Sequence, residues 1–338
     1  MTRRYTAQLC LPEIGEEGQE KLFRSCVIVV GAGGLGTALL PVLAGAGVGL
    51  IHIMDDDVVE EGNLHRQTLY RMDDIGKNKA ECAAKHLAGL NPSVRIVPHG
   101  VGAQSDTVSS LLSKMCAEAK DHSGRVMVLD AADNFATTYM LSDLCRKESV
   151  PLVSASAIRW GGYAAIFCGT VPSYRAVFPV LSAMAQNCQT AGVLGSVVGL
   201  VGMLQAQLCL SSLLDIKPSP AGILYRWDAK NLRMTSFSFM EAEEPEEAWP
   251  FLAYSQLRLD DILVDVRHPD EQPEIIHPHL YHIPLDRFLR LEKWDFPRNE
   301  RIVICCQSGV RANRAASHLH TYGYDRLALM AMRHQSIT

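Results

Sequence analysis

Two short stretches hold most of the chemistry open to this sequence. In the first, Gly31, Gly33, Gly34 and Gly36 fit the pattern G-x-G-x-x-G, after an apolar run and before residues with helical spacing. Glycines placed in this way let backbone N–H groups approach phosphate oxygens at a helix N-terminus. Asp55 lies about twenty residues farther on, where a carboxylate accepts hydrogen bonds from ribose hydroxyls. The pattern points to a nucleotide without naming it. In the second stretch, Cys306-Gln307-Ser308-Gly309-Val310-Arg311, an apolar strand ends in a thiol. A small-residue loop follows, and an arginine opens a helix predicted over 311–320. The helix dipole and the guanidinium both favour a thiolate, a bound anion or a persulfide.

The neighbours of the glycine loop narrow its chemistry. Asn63, Arg66 and Gln67 follow the second predicted strand, Lys79 opens the next helix, and Asp133 follows another strand. A nicotinamide enzyme would leave these groups idle. A triphosphate undergoing cleavage needs them, because charge must be neutralised on the phosphates and on the leaving pyrophosphate. Asp133 at the same edge suits Mg²⁺. In the cysteine loop two registers compete. A phosphatase loop starting at Cys305 would want His before the cysteine and Gly three residues after it. Ile304 and Ser308 stand there instead, so C-x-x-G-x-R starting at Cys306 is preferred. Cys188, just before an uncharged helical stretch, is a further thiol that a helix N-terminus can activate, or simply a buried cysteine.

The elements that must position these groups alternate. Strands are expected at 26–31, 49–57, 94–98, 125–130 and 151–154. Helices are expected at 37–47, 77–89, 105–119 and 134–148. Such alternation predicts an α/β fold with a mainly parallel, doubly wound sheet. From about residue 152 the texture changes to strands joined through Gly161-Gly162. The uncharged stretch 192–214 reads as a buried helix rather than a membrane span, since it contains Gln205, Gln207 and several glycines. The acidic run 240–250 has no packing period and is expected to link domains. The predicted arrangement is therefore 1–239, a linker at 240–250, and a small α/β domain at 251–338.

A net charge of −5 argues against nucleic acid or an anionic membrane as partner. Ten cysteines without a CxxC pair, and acidic residues where a signal peptide needs an apolar core, suit the cytoplasm.

The motifs VGAGGLG, DDDVVEEGNLHRQTLY, IGKNKAECA, AADN and VPLVSASAIRWGG occur in order from Val30 to Gly162. Over residues 4 to about 239 the chain resembles the ubiquitin-activating-like adenylyltransferases, in the branch that serves molybdopterin synthase and the thiamine sulfur carrier. The C-terminal part resembles rhodanese sulfurtransferases, through LVDVRHPDE, HIPLDRF and the Cys306 loop. The resemblance implies a Rossmann-like sheet of the ubiquitin-activating-enzyme type. It implies that Asp55 binds ribose and that Arg66 and Lys79 bind the phosphates of ATP. Asp133 would carry Mg²⁺, with Asn63 and Gln67 in support. It further implies adenylation of the terminal glycine of a small ubiquitin-fold carrier ending in Gly-Gly. Sulfur would then pass through a persulfide on Cys306, or by way of Cys188, from a donor such as a cysteine desulfurase. A homodimer is the family expectation.

Several positions depart from the family pattern. Ala7 replaces an arginine expected to reach a partner subunit's ATP, leaving Arg3 or Arg4 to compensate. Ser173 and Ala176 stand where a cysteine pair is expected, so no structural zinc is predicted. Asp265 and Arg267 are read as structural, as are His277, His279 and His282. The last elements, around LALMAMRHQSIT, are expected to be shortened. The alternatives are a weakened carrier-binding scaffold and an adenylyltransferase that modifies a free peptide.

Overall fold

The computed structural model describes residues 3–122, 124–179, 192–246, 248–271 and 275–332. The large sheet has eight strands in the order β3-β2-β1-β4-β5-β6-β7-β8. These are β1 Cys26–Val30, β2 Leu50–Met54, β3 Arg95–His99, β4 Val126–Asp130, β5 Pro151–Ile158, β6 Gly161–Cys168, β7 Ile223–Asp228 and β8 Arg233–Ser238. Strands β1 to β5 pair in parallel and the last three pair antiparallel. β1 is buried at every position, as its unbroken apolar run requires of a strand covered on both faces. The chain winds outward from β1 to β3, then returns to place β4 on the other side of β1. That reversal opens a crevice at the carboxyl ends of β1 and β4, the place where doubly wound sheets bind ligands.

Six helices matter to this sheet: α1 Gly15–Arg24, α2 Gly34–Ala46, α3 Lys79–Leu90, α4 Ser105–His122, α5 Phe135–Lys147 and α6 Gly195–Leu213. α6 is the one helix among the described residues that is long and apolar enough to cross a bilayer, and 50% of its apolar window is buried inside the protein. It packs against α2, β5 and β6. A methyl group on Gly202 would lie 2.8 Å from Ala38 Cβ and 2.9 Å from the Leu35 carbonyl, so glycine is what allows α2 and α6 to approach. Gln205, fully buried, donates to the main-chain oxygens of Asp130 and Val153 at 2.8 and 2.9 Å.

The glycine pair 161–162 does not make the turn expected of it. Arg159 and Trp160 turn the chain, and the glycines are the first rungs of β6, opposite Ile158 and Ala157. A Cβ on Gly162 would lie 2.5 Å from the Ser156 carbonyl on β5 and 2.7 Å from Val201 of α6, so close approach of strand and helix, rather than a reverse turn, selects the small residue.

The second sheet is parallel throughout, in the order β10-β9-β11-β12, formed by β9 Ile262–Asp265, β10 Leu280–His282, β11 Ile302–Cys306 and β12 Leu327–Ala331. Helix α7, Val310–His320, packs on it. The stretch expected to be shortened supplies β12. Its outer edge is paired with residues 250–252 through Leu252 N to Leu329 O at 2.8 Å and Leu329 N to Pro250 O at 2.9 Å.

The acidic segment between the sheets lacks a packing period but is fastened by polar contacts. Glu244 accepts hydrogen bonds from the Ser173 amide and hydroxyl at 2.8 and 2.6 Å and pairs with Arg146 at 3.2 Å. Arg175 pairs with Asp143 at 2.6 Å, donates to the Trp249 carbonyl at 3.1 Å and lies over the Tyr139 ring. Ser173 and Ala176 offer no thiolate; Ser173 caps the short helical turn Tyr174–Val177. One apolar cluster runs from Val128 and Phe167 through Phe239 and Phe251 to Ile304 and Leu329, joining the two sheets in a common core.

Candidate active sites

The carboxyl ends of β1, β2, β4 and β5 surround one pocket, lined by Gly31, Gly33, Gly34, Asp55, Asn63, Arg66, Gln67, Lys79 and Asp133. Nine of the ten residues expected at a nucleotide site thus converge. Gly36, the tenth, does not line the pocket. A Cβ there would lie 2.2 Å from the Gly31 carbonyl, so Gly36 lets α2 start tightly against the loop. Gly31 has φ +98°, a left-handed conformation that suits glycine.

Several of the polar groups are held by neighbours. The Asp55 carboxylate accepts from the Ala32 amide at 2.6 Å and the Asp57 amide at 2.9 Å, so it braces the glycine loop. Burial pushes its pKa up to about 6. Lys79, buried at the start of α3, pairs with Asp57 at 2.9 Å. Arg66 donates to Asn63 Oδ1 at 2.8 Å. Gln67 is only 3% exposed, and its Oε1 has no partner although the residue lines the pocket. Asp133 precedes Asn134, whose side chain caps α5 by accepting from the Thr137 amide at 2.9 Å.

In its own chain Arg4 is anchored at the end of α3 remote from Lys79. Its guanidinium donates to the Leu90 carbonyl at the far end of α3, the helix that begins with Lys79. A helix of that length spans about 18 Å.

Sequence reasoning missed several residues here. Asp57 is the counter-ion of Lys79, and the run Asp55-Asp56-Asp57 was the available signal. Tyr70 donates to the Ala32 carbonyl at 2.7 Å. Asp130, at the end of β4, accepts from Ser154 Oγ at 2.8 Å, and burial pushes its pKa up to about 6. Tyr163 and Tyr174 line the pocket with their hydroxyls 2.9 Å apart. Nothing local in the sequence marks those tyrosines, which come from different elements.

The second site lies at the end of β11. Cys306 Sγ accepts from the amides of Gly309 and Ala312 at 3.1 and 3.3 Å, and the residue is fully buried. Gln307 and Ser308 form the loop, Gly309 has φ +83°, and Val310 begins α7. Strand alternation turns Cys305 to the opposite face, among Leu263, Val303 and Met330, where burial pushes its thiol pKa far up. The cradle therefore belongs to Cys306. Arg311 makes a two-pronged ion pair with Glu271 at 2.5 and 2.6 Å. Glu271 also accepts from the His268 amide at 2.8 Å, and the guanidinium holds its pKa down to about 2. Asp265 accepts from both the amide and the guanidinium of Arg267 at 3.0 Å, a buried pair that shapes the turn after β9.

His277 and His282 each face a backbone carbonyl, of Arg258 and Arg267 respectively, at 2.9 and 3.0 Å. Cys188 lies outside the described residues.

The two sites meet at the start of α5. A Cβ on Gly309 would lie 3.2 Å from Ala136 Cβ, three residues beyond the pocket-lining Asp133.

The ThiF family matches residues 5–249 and the rhodanese-like domain matches residues 252–332. The chain is 39% identical over 231 residues to the SAMP-activating enzyme E1 of Haloferax volcanii, covering 68% of this chain and 82% of that one. It is 35% identical over 326 residues to the adenylyltransferase and sulfurtransferase MOCS3 of Bos taurus, covering 84% and 69%. In MOCS3 of Xenopus laevis the match spans about half of that protein, 49%. The fold is also that of Escherichia coli MccB, solved with MccA-N7isoASN, at a TM-score of 0.60 and 19% identity over 73% of this chain and 74% of that one.

Proposed function

The chain belongs to the ThiF family and carries a rhodanese-like domain at its C-terminal end, and from that premise we propose that it activates a ubiquitin-like sulfur carrier. The carrier's terminal glycine carboxylate attacks the α-phosphorus of ATP. The α–β phosphoanhydride bond breaks and pyrophosphate leaves. Like charges repel in this step, so the site must supply cations and alignment. Lys79 and Arg66 supply the positive charge, the glycine loop supplies amide donors, and Asp55 holds the ribose. The hard oxygen donors around the pocket suit Mg²⁺, with Asp133 as its ligand, and the ion would neutralise phosphate charge. Gln67 and Asn63 support this shell.

The acyl-adenylate is a mixed anhydride. The terminal sulfur of a Cys306 persulfide attacks its carbonyl carbon and AMP leaves. A second thiolate then attacks the Cys306 sulfur, and the carrier departs as a thiocarboxylate. Cys188 is the candidate for that thiolate. The donor loading Cys306 is a persulfide-bearing protein such as a cysteine desulfurase, and the enzyme works in the cytoplasm as a homodimer.

The observation that carries this reading is the convergence of Arg66, Lys79 and Asp133 with the glycine loop in one pocket, next to the helix end that touches the Cys306 loop. Relatives named as adenylyltransferases do not favour the scaffold alternative. The test is ATP–pyrophosphate exchange dependent on a ubiquitin-fold carrier ending in Gly-Gly. Folded protein that gives no exchange with any carrier of its host refutes the reading.

A further inference from the structure

The nucleotide pocket extends beyond the groups assigned to ATP. Its lining reaches from Asp55, just past β2, to Tyr163 on β6 and Tyr174 beyond that strand. The order β2-β1-β4-β5-β6 puts four strand spacings, roughly 19 Å, between the two ends. With the ribose at Asp55 and the phosphates at the glycine loop after β1, the adenine stays at the β2 side. Arg66 and Lys79 lie on the sheet face covered by α2, α3 and α6. A Cβ on Gly34 would stand 2.6 Å from Val198 of α6 and 3.7 Å from the Arg66 carbonyl, and Ala80 beside Lys79 belongs to the core of that face. Tyr163 packs on the opposite face, in the cluster that contains Ala136 and Tyr139 of α5. In-line displacement brings the nucleophile to the α-phosphorus from the side away from the leaving pyrophosphate. With pyrophosphate leaving beside the cations, the carboxylate enters from the tyrosine end.

A tail of two glycines offers no side chain to recognise. Between Phe135, Ala155, Ala157, Ile158 and Val193 its peptide groups lose water, and each needs a hydrogen-bond partner in return. The hydroxyls of Tyr163 and Tyr174 lie 2.9 Å apart, and among the described residues neither makes another hydrogen bond. Two hydroxyls carry two protons; their mutual bond uses one and leaves one O–H to donate. The rings are fixed in place. Tyr174 stands edge-on to Tyr139 and to Phe167, each at 5.2 Å, and Phe178 lies 4.6 Å from Tyr174 and 5.7 Å from Tyr163.

We propose that the Tyr163–Tyr174 hydroxyl pair binds the backbone of the carrier's Gly-Gly tail, donating to a peptide carbonyl and so aiming the terminal carboxylate at the α-phosphorus. This rests on the reading of the chain as a carrier adenylyltransferase. A carboxylate oxygen forms the new bond to phosphorus, the α–β phosphoanhydride bond breaks, and pyrophosphate takes the bonding pair. No proton moves in that step, so the pair positions the substrate and does not act as an acid. Burial pushes both phenol pKa values up, which keeps the hydroxyls protonated as donors.

The experiment uses the full chain, ATP and the host's ubiquitin-fold carrier ending in Gly-Gly. Carrier-dependent ATP–pyrophosphate exchange gives KM for the carrier, and titration calorimetry gives Kd for ATP alone. Tyr163→Phe and Tyr174→Phe keep the rings and remove one hydroxyl each. Each should raise KM for the carrier about tenfold, with Kd for ATP changed less than about twofold. The double variant should be little worse than either single one, because the two hydroxyls act as a unit. A carrier lacking its last two residues should bind wild type and Tyr163→Phe with equal affinity, a result that a general loosening of the fold would not give. An unchanged KM for the carrier in folded Tyr163→Phe overturns the proposal. So does a Kd for ATP that rises as much as that KM, since the pair would then serve the nucleotide. Wild-type protein that gives no exchange with any carrier of its host refutes the adenylation reading itself, and that result is obtained before any variant is made.

Discussion

At the scale of single residues, the lysine of the nucleotide pocket is paired before any ligand enters. Lys79 answers Asp57, while Asp55 is raised by burial to a pKa of about 6. Accepting from two ribose hydroxyls requires Asp55 as a carboxylate. ATP affinity should therefore fall as pH drops below about 6, and Asp55→Asn should bind weakly with that dependence removed, as titration calorimetry across pH 5–8 would record. For the free protein the sign is the reverse. Between the ordinary carboxylate range and about 6, the folded state binds more protons at Asp55 and Asp130 than the unfolded chain, so these groups cost stability as pH rises through that window. Glu271 acts oppositely: with its folded pKa down to about 2, it contributes stability above the ordinary range that is lost as pH falls towards 2. Lys79→Ala should reduce carrier-dependent pyrophosphate exchange by about a hundredfold or more, with melting temperature monitored to separate folding from catalysis. The two cysteines can be told apart as directly. Cys305→Ala should retain the persulfide and Cys306→Ala should lose it, and a persulfide surviving in the latter contradicts the assignment.

At the scale of elements, periodicity and glycine spacing located the strand–loop–helix units. The run of five apolar residues at 26–30 could be little else than a covered strand, and helix α2 follows from the loop that opens it. The glycines at 161–162 misled, because a glycine in a β-rich stretch marks either a turn or a close approach. The distinction lies in the Ser156 carbonyl on the paired strand and in Val201, some forty residues away. The same argument yields a test. Gly202→Val should push α6 off α2 and destabilise the protein by about 1–3 kcal/mol, seen as a lower urea midpoint with an unchanged slope. An unchanged midpoint would mean that α2 and α6 do not pack as closely as the distance from Gly202 to Ala38 requires.

At the scale of the whole molecule, the segment 240–250 sets how the two sheets meet. Glu244, Arg146, Ser173, Arg175 and Asp143 fasten it to the large sheet's helices, and Phe251 carries the apolar core across. Glu244→Ala should leave Ser173 and Arg146 without their shared acceptor and make the 240–250 segment open to proteolysis about tenfold faster, while carrier-dependent exchange persists. If cleavage is no faster, the polar contacts are incidental to the docking. Through this docking the Cys306 loop packs against Ala136 at the start of α5, three residues from the pocket-lining Asp133.

By itself, the sequence determined the alternating architecture, the glycine loop with its carboxylate and cations, and Cys306 over Cys305, because each of these is written in spacing along one stretch of chain. Only the tertiary structure decided that Asp57 neutralises Lys79, that Tyr163 and Tyr174 share the pocket, that Arg4 is anchored at the far end of α3, and that Glu271 pairs with the arginine of the sulfur cradle. These are pairings between groups brought together by packing. The physical reason is that a side chain's charge and size are local properties, whereas its partner is chosen by the fold.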